Sequence, residues 1–509
     1  MRDASLAPRP ERAPDDLHVI GRWLDTRARL TPQRAAIEFD GEVLTYRDLA
    51  DRSRDLAARL LATGLVPGDR VVTLTENHAE HVVLLFACAK SGLILAPLNW
   101  HLAGPELDQQ IKLFTPALVV VSREQSARFV NRFAVRTLEL ESLADELDST
   151  SATLPHVRDS DPLLLIATSG TTGHPKGAVL THANCFWTNL GLDLSLPLTE
   201  DDVVLQVLPQ YHVGGWNVQP LQAWWKGATV VLERSFEARR VLDLIATRRV
   251  TTMMGVPTNY LLLSQASGFE SADLASLRAI VVGGAAMPCS LADLWRERGV
   301  DVVQGYGLTE ASPNVCCLGA QDAKVRPGSV GKPYAYVEVA LRDVATGEVV
   351  VGAGRGQMFV RGPNVFAGYW QNPTATADVL REGWLATGDV AERDSEGFYR
   401  ISGRTKEMFI SGGENVYPVE VERVLTSLAD VVDAAVVGVD NARWGETGVA
   451  FVVVRPGASL TTEDLLVHCR RELAGFKVPS EILLLDELPR THIGKVDKSR
   501  LSAMARSDG

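Results

Sequence analysis

Residues 164–182 read LLIATSGTTGHPKGAVLTH, and this stretch decides the fold class. The apolar run at 163–167 predicts a buried strand, which leads directly into a loop of small and hydroxyl-bearing residues. Gly170, Gly173 and Gly177 have no side chain, so backbone N–H groups can approach an anion closely there. The candidates for anion binding are Thr168, Ser169, Gly170, Thr171, Thr172, Gly173 and Lys176. We therefore predict a polyphosphate cradle.

This loop differs from the common Walker phosphate loop. The Walker pattern needs Gly, four residues, Gly-Lys and then Ser or Thr. Here Gly173 is followed by His174, Pro175, Lys176 and Gly177, so no hydroxyl follows the lysine. A flexible surface loop is the alternative interpretation of a short run of Gly, Ser and Thr. The preceding strand and the single lysine favour the phosphate cradle.

The composition is that of a globular protein without nucleic-acid-binding character. The 509 residues suggest about two to four domains. The hydrophobic fraction of 46% and the charged fraction of 22% are ordinary. The net charge of −12 argues against a nucleic-acid partner, which needs a basic surface. Any phosphate site must therefore be basic only locally.

Cysteine usage and hydropathy predict a cytoplasmic protein. The six cysteines form no CxxC pair and no regular framework, as expected of reduced thiols. Residues 1–16 contain no apolar core of a secretory signal, and no run of about 18 apolar residues predicts an integral membrane segment. The longest apolar stretch, residues 81–98, is interrupted by Lys90 and Gly92. It predicts a buried helix followed by a buried strand.

Helical and strand patterns alternate along the chain, which predicts an α/β fold with helix-flanked sheets. Apolar periodicity predicts helices at 44–61 and 237–249 and strands at 69–74, 92–98, 116–122, 203–208, 228–232, 251–256 and 279–282. After Val330, short β runs with Gly turns predict a barrel or a set of hairpins. The segment from Thr405 onward predicts a compact unit with helices at 418–428 and 462–473 and strands at 431–439, 448–454 and 481–485.

Five further segments, together with the loop, resemble signatures of the adenylate-forming (AMP-binding) superfamily. They read QGYGLTEAS at 304–312, WLATGD at 384–389, YRISGRTK at 399–406, SGGENVYPVEVE at 411–422 and PRTHIGK at 489–495. These segments stand in the superfamily's order and cover residues 164–498, while the amino-terminal part is compatible without being diagnostic. Within the superfamily, the chain resembles the acyl-CoA synthetase (fatty-acid-CoA ligase) branch.

The resemblance implies a domain organisation and a two-step reaction. It implies an amino-terminal AMP-binding domain at 1–404, built of two helix-flanked sheets and a small β-barrel subdomain. A small mobile α+β domain at 405–509 follows, with Lys406 as the hinge. In the reaction, a carboxylate attacks the α-phosphate of ATP to give an acyl-adenylate and pyrophosphate, and a thiol then displaces AMP. The implied cofactors and substrates are ATP, Mg²⁺, coenzyme A and a small carboxylic acid.

The first step brings two anions together, so it needs positive charge. Lys495 is a compact charge that can lie between carboxylate and phosphate. Glu310 and Thr309 look like the magnesium and α-phosphate contacts, because one carboxylate suffices for Mg²⁺ beside phosphate oxygens. The implied catalytic residues are Lys495, Glu310, Thr309 and His212, and the implied metal contacts are Glu310 and Thr172. The nearby Lys498 is interpreted as a solvated lysine.

The same resemblance assigns nucleotide contacts outside the loop. Tyr306 offers a flat ring on which adenine can stack, and Asp389 and Arg404 can contact the ribose. Gly284 and Ala285 follow a predicted strand, at the place where open α/β sheets bind ligands.

Residues of the carboxy-terminal segment are implied in binding the thiol substrate. Gly412 and Gly413 would face the pantetheine channel. Lys477 is either a contact for a CoA phosphate or a solvated lysine.

The segment PQYHVGGWN at 209–217 bears on the identity of the acid. Amino-acid-activating members carry an aspartate where His212 stands, so the resemblance argues against an amino acid substrate. The implied acyl pocket consists of Tyr211, His212, Trp216, Val256 and Gly305. It contains no Arg or Lys for a second carboxylate, which favours a monocarboxylic fatty or aromatic acid.

Three alternatives stay open at this point. A stand-alone ligase could load an acyl carrier protein instead of free CoA, although residues 190–196 lack the Asp-Ser of a phosphopantetheine site. A degenerate nucleotide-binding scaffold would be favoured by loss of catalytic residues, yet Glu310, Asp389, Arg404 and Lys495 are all present. The sequence is compatible with a monomer and with a homodimer.

Overall fold

The computed structural model describes residues 15–129, 134–148, 152–168, 175–411, 414–441, 444–491 and 495–507. Its strands are β1 (Ala35–Phe39), β2 (Glu42–Thr45), β3 (Arg70–Leu74), β4 (Ile94–Pro97), β5 (Leu118–Val121), β6 (Thr137–Glu139), β7 (Pro162–Thr168), β8 (Lys176–Thr181), β9 (Val203–Gln206), β10 (Thr229–Leu232), β11 (Thr252–Gly255), β12 (Ala279–Val282), β13 (Asp301–Gly307), β14 (Asn314–Leu318), β15 (Lys332–Pro333), β16 (Glu338–Arg342), β17 (Gly354–Arg361), β18 (Gly368–Tyr369), β19 (Leu380–Arg381), β20 (Trp384–Arg393), β21 (Tyr399–Arg404), β22 (Phe409–Ser411), β23 (Glu414–Val416), β24 (Val431–Asn441), β25 (Gly445–Val454) and β26 (Glu481–Leu484).

Helices connect most of these strands. They are α1 (Gly21–Leu30), α2 (Tyr46–Ala62), α3 (Ala79–Ser91), α4 (Gly104–Phe114), α5 (Arg123–Phe129), α6 (His182–Ser195), α7 (Gly214–Asn217), α8 (Pro220–Lys226), α9 (Ala238–Thr247), α10 (Pro257–Gln265), α11 (Cys289–Glu297), α12 (Ala320–Val325), α13 (Pro373–Val379), α14 (Pro418–Thr426), α15 (Thr462–Glu472) and α16 (Lys498–Ser507). Short 3-10 helices lie at Phe269–Ser271, Thr309–Ala311 and Gly475–Lys477.

The largest sheet has nine strands in the order β15-β14-β13-β12-β11-β9-β10-β1-β2. Its central strands β10, β9, β11, β12 and β13 run parallel. The carboxyl ends of parallel strands meet at one edge, where the following loops can converge on a ligand. This edge positions most of the candidate site.

The second sheet has seven strands in the order β18-β8-β7-β4-β3-β5-β6. Strand β7 is antiparallel to β8, and Thr168 pairs with Lys176, so the Gly- and Thr-rich loop joins two neighbouring strands. Helix α3 belongs to a core cluster that contains residues of both sheets, and twelve of its residues are buried. Its apolar residues therefore surround the whole helix, and the predicted buried helix followed by strand β4 is confirmed.

The short β runs after Val330 form a third sheet, in which β16, β17, β20 and β19 are neighbours and β21 pairs with β20. All of its pairings are antiparallel. The fourth sheet lies in the carboxy-terminal segment and has the order β23-β22-β25-β24, with β26 beside β25. Helices α14 and α15 pack in one apolar cluster of this segment, and α16 packs in another.

The α/β fold predicted from the sequence is confirmed by these mixed sheets and flanking helices. Helix α16 and the short strands β22 and β23 were not predicted, because their segments show no sustained apolar period. No helix among the described residues is long and apolar enough to cross a membrane.

Candidate active site

The loops that follow four parallel strands bring the predicted residues to one edge of the nine-stranded sheet. Tyr211 and His212 follow β9, Val256 follows β11, and the Gly284 segment follows β12. Tyr306 lies near the end of β13, and the 3-10 helix Thr309–Ala311 comes directly after it. The sheet topology therefore places the predicted acyl and nucleotide residues side by side.

The phosphate loop is described only at its two ends. Ser169, Gly170, Thr171, Thr172 and Gly173 lie outside the described residues, so their predicted roles stay predictions. Thr168 ends β7 and Lys176 begins β8.

Gly177 has a packing role that differs from its predicted one. A Cβ at this position would lie 2.5 Å from Cε1 of Phe114 and 2.9 Å from Cδ1 of Leu165. Phe114 and Leu165 occupy the space that a side chain would need, and the approach of an anion to the Gly177 backbone stays a prediction. The absence of a side chain is therefore explained by the core.

Tyr369 connects the phosphate loop to the predicted metal contact, and the sequence analysis did not identify it. Lys176 Nζ lies 4.9 Å from the centre of the Tyr369 ring. The Tyr369 hydroxyl donates to Glu310 Oε1 at 2.8 Å. Tyr369 thus contacts the cation through its ring and one carboxylate oxygen of Glu310 through its hydroxyl group.

The segment that carries Thr309 and Glu310 is fixed by its neighbours. Asn364 is buried and its amide donates to the carbonyl oxygens of Ala311 at 3.0 Å and Asn314 at 2.8 Å. The Phe366 N–H donates to the Glu310 carbonyl at 2.9 Å. Among the described residues, no group of three or more His, Cys, Asp or Glu side chains could hold a metal ion. Glu310 therefore fits Mg²⁺ only in combination with phosphate oxygens and water.

Asp389, Arg404 and Tyr306 form a hydrogen-bonded cluster. Asp389 is only 4% exposed; its Oδ2 accepts from the Tyr306 hydroxyl at 2.5 Å, and its Oδ1 accepts from Arg404 Nε at 3.1 Å. Burial raises the pKa of Asp389, although the Arg404 charge and the Tyr306 hydroxyl oppose that rise. Each carboxylate oxygen has two lone pairs, so each keeps one for a ligand hydroxyl. The predicted contact with both ribose hydroxyls is compatible with this geometry.

Lys495 reaches this cluster from the carboxy-terminal segment. Residues 492–494 lie outside the described residues, but the loop base is closed by the Thr491 N–H, which donates to the Lys495 carbonyl at 2.7 Å. The Lys495 side chain is accessible to solvent, yet the loss of hydration among its neighbours lowers its pKa. The charge of Arg404 lowers this pKa further, whereas the charges of Asp389 and Glu310 raise it. Lys495 therefore lies close enough to Arg404, Asp389 and Glu310 for their charges to affect it.

His212 is neutral at the mouth of the predicted acyl pocket. Burial lowers the pKa of His212 to about 4, and the charge of Lys495 adds to the effect. The Gly214 N–H lies 3.5 Å from Nδ1 of His212, which favours the tautomer with the proton on Nε2. The imidazole can therefore donate a hydrogen bond toward a substrate without adding a charge.

The rest of the predicted pocket is apolar and closely packed. Burial raises the pKa of Tyr211 to about 12. Trp216 is fully buried, and its ring meets His81 edge-on at a centroid distance of 5.0 Å. A Cβ at Gly284 would lie 3.4 Å from Val256 Cγ1. A separate buried cluster consists of Leu192, Val218, Met254, Val281 and Tyr334.

The two lysines to which the sequence analysis gave a solvated interpretation both form ion pairs. Lys498 Nζ lies 2.9 Å from Glu407 Oε2 and 2.9 Å from Glu422 Oε1, so the prediction of a solvated lysine is wrong. Lys477 Nζ lies 2.7 Å from Glu420 Oε2. The sequence could not reveal these pairs, because each partner comes from a distant segment.

Lys406 is an exposed residue between two anchored neighbours. The Thr405 hydroxyl donates to the Gly388 carbonyl at 2.6 Å in the third sheet. Glu407 binds Lys498 at the start of α16. The backbone at Lys406 thus joins a residue held by the preceding sheet to one held by the carboxy-terminal segment. Gly412 and Gly413 lie outside the described residues.

The amino-terminal and the carboxy-terminal parts of the chain both match known families. A model of the AMP-binding enzyme family matches residues 24–370, and a model of the AMP-binding enzyme C-terminal domain matches residues 420–495. A feruloyl-CoA synthase from an Amycolatopsis species is 40% identical over 484 residues, which cover 95% of this chain and 98% of that protein. An indoleacetate–CoA ligase from Aromatoleum aromaticum is 38% identical and covers 94% of this chain and 96% of its own.

Solved structures agree with these relatives. The o-succinylbenzoate CoA synthetase of Bacillus subtilis, solved with its acyl-adenylate intermediate, superposes with a TM-score of 0.84 at 31% identity. The match covers 94% of this chain and 97% of that chain. The same synthetase has also been solved with ATP and a magnesium ion.

Proposed function

Because this chain belongs to the AMP-binding enzyme family, we propose that it is an AMP-forming CoA ligase for an aromatic monocarboxylic acid. The predicted acyl-CoA synthetase branch, the acid–thiol ligase activity and the use of ATP, Mg²⁺ and CoA are confirmed by the relatives and their ligands. A carrier protein as acceptor is not favoured, since both relatives are named as CoA enzymes.

The observation that carries this proposal is the convergence of Glu310, Asp389, Arg404 and Lys495 beside a neutral His212. In the first step, the protonated Lys495 lies between the acyl carboxylate and the α-phosphate and neutralises both. This interaction strengthens as charge develops on the phosphoryl oxygens. His212 donates from Nε2 toward the acid, and its neutrality leaves Lys495 as the charge that aligns the nucleophile.

The nucleotide is held by residues of β8, β13, β20 and β21 and of the loop after β12. Asp389 and Arg404 bind the ribose, Tyr306 stacks on adenine, and the Gly284–Ala285 segment lines the nucleotide edge. Lys176 holds the phosphates that leave as pyrophosphate, together with the hydroxyl groups of the loop. Glu310 and Thr172 would hold Mg²⁺, which would neutralise phosphate charge, and Thr309 would contact the α-phosphate.

The second step needs the thiol of CoA where Lys495 stood in the first. We place the domain boundary at Arg404 and Thr405, so that residues 405–509 move as one unit about Lys406. The anchors on either side of Lys406 support this assignment, because they hold its two neighbours to different parts of the chain. Gly412 and Gly413 then line the pantetheine path.

An aromatic monocarboxylic acid fits the residues assigned to the pocket. Tyr211, Trp216, Val256 and Gly305 are aromatic or small and apolar, and none of them carries a charge for a second carboxylate. Ferulate and indoleacetate, the acids in the names of the two relatives, both carry one carboxylate and an aromatic ring.

A substrate panel tests this function. We expect CoA-dependent AMP release with ferulic and indole-3-acetic acids, and a kcat/KM at least about tenfold lower with octanoic and malonic acids. Fatty acids as the best substrates would overturn the aromatic assignment. No AMP release with any acid, from a protein shown by calorimetry to bind ATP, would overturn the ligase itself.

A further inference from the structure

Arg355 contacts the carboxy-terminal segment, and it has no role in the two half-reactions proposed above. It lies at the start of β17 in the third sheet, and it reaches across to helix α14 of the carboxy-terminal segment. Its Nη1 lies 2.8 Å from Glu420 Oε1. Its guanidinium carbon lies 4.1 Å from the centre of the Tyr417 ring.

Tyr417 is enclosed by residues that precede the proposed hinge. The ring is buried, with Arg355 on it and Gly403 of β21 beside it. A Cβ at Gly403 would lie 3.0 Å from Tyr417 Cδ1, and the φ of Gly403 is +145°. The backbone of β21 therefore approaches this ring closely. Arg355, Tyr417 and Glu420 together are called the Arg355 contact below.

Each charge of the Arg355 contact has a second partner on its own side. Glu420 Oε2 lies 2.7 Å from Lys477 Nζ, and both residues belong to the carboxy-terminal segment. Arg355 lies opposite Glu392 in the β17–β20 register, and its Nη1 is 3.9 Å from Glu392 Oε1. When the segment turns away, Glu420 keeps Lys477 and Arg355 keeps Glu392. Separation therefore leaves no buried charge unpaired, which keeps its cost low.

We propose that Arg355 is a positioning residue of the first half-reaction, which holds the carboxy-terminal segment where Lys495 faces Asp389 and Glu310. The proposal rests on the proposed function, because it assumes that this segment alternates between two positions. Arg355 does not touch the reacting atoms; it sets how much of the protein is in the adenylating arrangement. Its release from Glu420 accompanies the change to the second half-reaction.

The strength of the contact suits a reversible switch. A partly exposed ion pair and a cation–π contact each contribute a modest amount, and together they correspond to a change of about three- to tenfold in population. Such a contact can favour one arrangement without preventing the other.

The test compares Arg355→Met with Arg361→Met, a matched control on the same strand. Arg361 also pairs with a glutamate, Glu338, and also lies over an aromatic ring, that of Trp384 at 4.5 Å, but both partners belong to the third sheet. For each variant, acyl-adenylate formation is measured by ATP–pyrophosphate exchange with ferulic acid. Thioester formation is measured separately from prepared feruloyl-AMP and CoA.

We expect Arg355→Met to slow adenylate formation about three- to tenfold and to leave thioester formation unchanged or faster. Arg355→Lys keeps the charge but loses the planar stacking and should fall between. Arg361→Met should change neither step by more than about twofold. Equal loss of both half-reactions in Arg355→Met, or no loss in either, overturns the proposal. If Arg355→Met does not fold, Glu420→Gln breaks the same contact from the other side and is read in the same way.

A measurement without activity separates this proposal from the proposed function. Tryptic cleavage after the exposed Lys406 reports how far the carboxy-terminal segment is held. We expect cleavage several-fold faster in Arg355→Met than in Arg361→Met, since the population of the released arrangement rises by a similar factor. Equal cleavage rates overturn the Arg355 contact. If the wild-type protein forms no adenylate with any aromatic acid, the proposed function fails. The cleavage rates then still show whether Arg355 holds the carboxy-terminal segment.

Discussion

Lys495 and Lys498 lie in the same short stretch of sequence, yet their surroundings are opposite. No carboxylate among the described residues forms an ion pair with Lys495, and the loss of hydration among its neighbours lowers its pKa. Lys498 Nζ lies 2.9 Å from each of two carboxylates, those of Glu407 and Glu422. Although burial alone would lower the pKa of Lys498, these two charges raise it.

We propose that the difference separates a catalytic charge from a structural one. A lysine that bridges a carboxylate and a phosphate must not already be neutralised by the protein, and none of the carboxylates in the described part of the chain forms an ion pair with Lys495. Lys498 joins Glu407, which follows the proposed hinge residue Lys406, to the half-buried Glu422 on helix α14. It therefore fixes the framework from which the Lys495 loop extends. Substitutions at the two positions should have different consequences.

The largest effect is expected from Lys495→Ala. Removing the charge that joins the two anions should lower the rate of adenylate formation by about 10³-fold. Thioester formation from prepared acyl-adenylate should persist, because the first step has been bypassed. The free energy of unfolding should hardly change. ATP–pyrophosphate exchange, CoA thioester formation and urea unfolding measure these three quantities.

Lys324→Ala serves as the control for this prediction. Lys324 lies 3.7 Å from Asp301 at the amino end of β13, at the opposite edge of the sheet from the site. It should leave both half-reactions unchanged. If Lys495→Ala keeps the exchange activity, the catalytic role of Lys495 is wrong.

Lys498→Met should instead destabilise the protein. Its removal leaves Glu407 and Glu422 close together without a cation, which costs about 2–3 kcal/mol of unfolding free energy. Arg470→Met removes the exposed pair with Glu463 in the same segment and should have little effect. Urea unfolding compares the two variants. Equal stability of Lys498→Met and the wild type would contradict the assigned structural role.

Alkaline pH should affect the two lysines at different points. Lys495 acts in its protonated form, so adenylate formation should fall as pH rises through its lowered pKa, below the usual value of 10.5. The pKa of Lys498 is higher folded than unfolded, so its stabilisation is complete below the unfolded pKa of about 10.4. That stabilisation is lost only as pH rises through the higher folded value.

Exchange rates and urea unfolding over the same pH series test this order. We expect activity to fall before stability does. In Lys495→Arg the guanidinium stays protonated, so whatever activity remains should persist to higher pH. Loss of activity and stability at one common pH in the wild type would contradict the separation of the two lysines.

The smallest effect is expected from Tyr369→Phe. It removes the hydrogen bond to Glu310 Oε1 but keeps the ring over which Lys176 lies. An ordinary hydrogen bond contributes about 1 kcal/mol, so we expect a change of about three- to tenfold, in the apparent affinity for Mg²⁺ more than in kcat. Titration of the exchange rate with Mg²⁺ measures it. Unchanged Mg²⁺ dependence would show that Tyr369 does not orient this carboxylate.

Most of the fold and the candidate catalytic residues could be predicted from the sequence. Helix α3 and strand β12 follow from apolar runs whose length and period belong to one local segment. Glu310, Asp389, Arg404 and Lys495 stand in short motifs, so a resemblance could identify them. The structure brings these motifs together at one sheet edge, which the alternation of helices and strands already favoured.

The ion pairs and hydrogen bonds that position these residues could not be predicted, because each joins two residues that are distant in the sequence. Lys498 and Glu407 are 91 positions apart, and nothing near either residue indicates the other. Tyr369 and Glu310 are 59 positions apart. The packing role of Gly177 could not be predicted for the same reason, since Phe114 comes from helix α4. Local patterns predict elements and motifs, whereas tertiary packing decides which charge is left free.

We propose that the acyl carboxylate attacks the α-phosphate of ATP beside Lys495. Ferulic acid labelled with ¹⁸O in its carboxylate tests this step in one turnover with ATP and CoA. We expect one labelled oxygen in AMP, none in pyrophosphate, and no label transfer above background in Lys495→Ala. Label in inorganic phosphate, or in AMP at equal rates in both proteins, would contradict it.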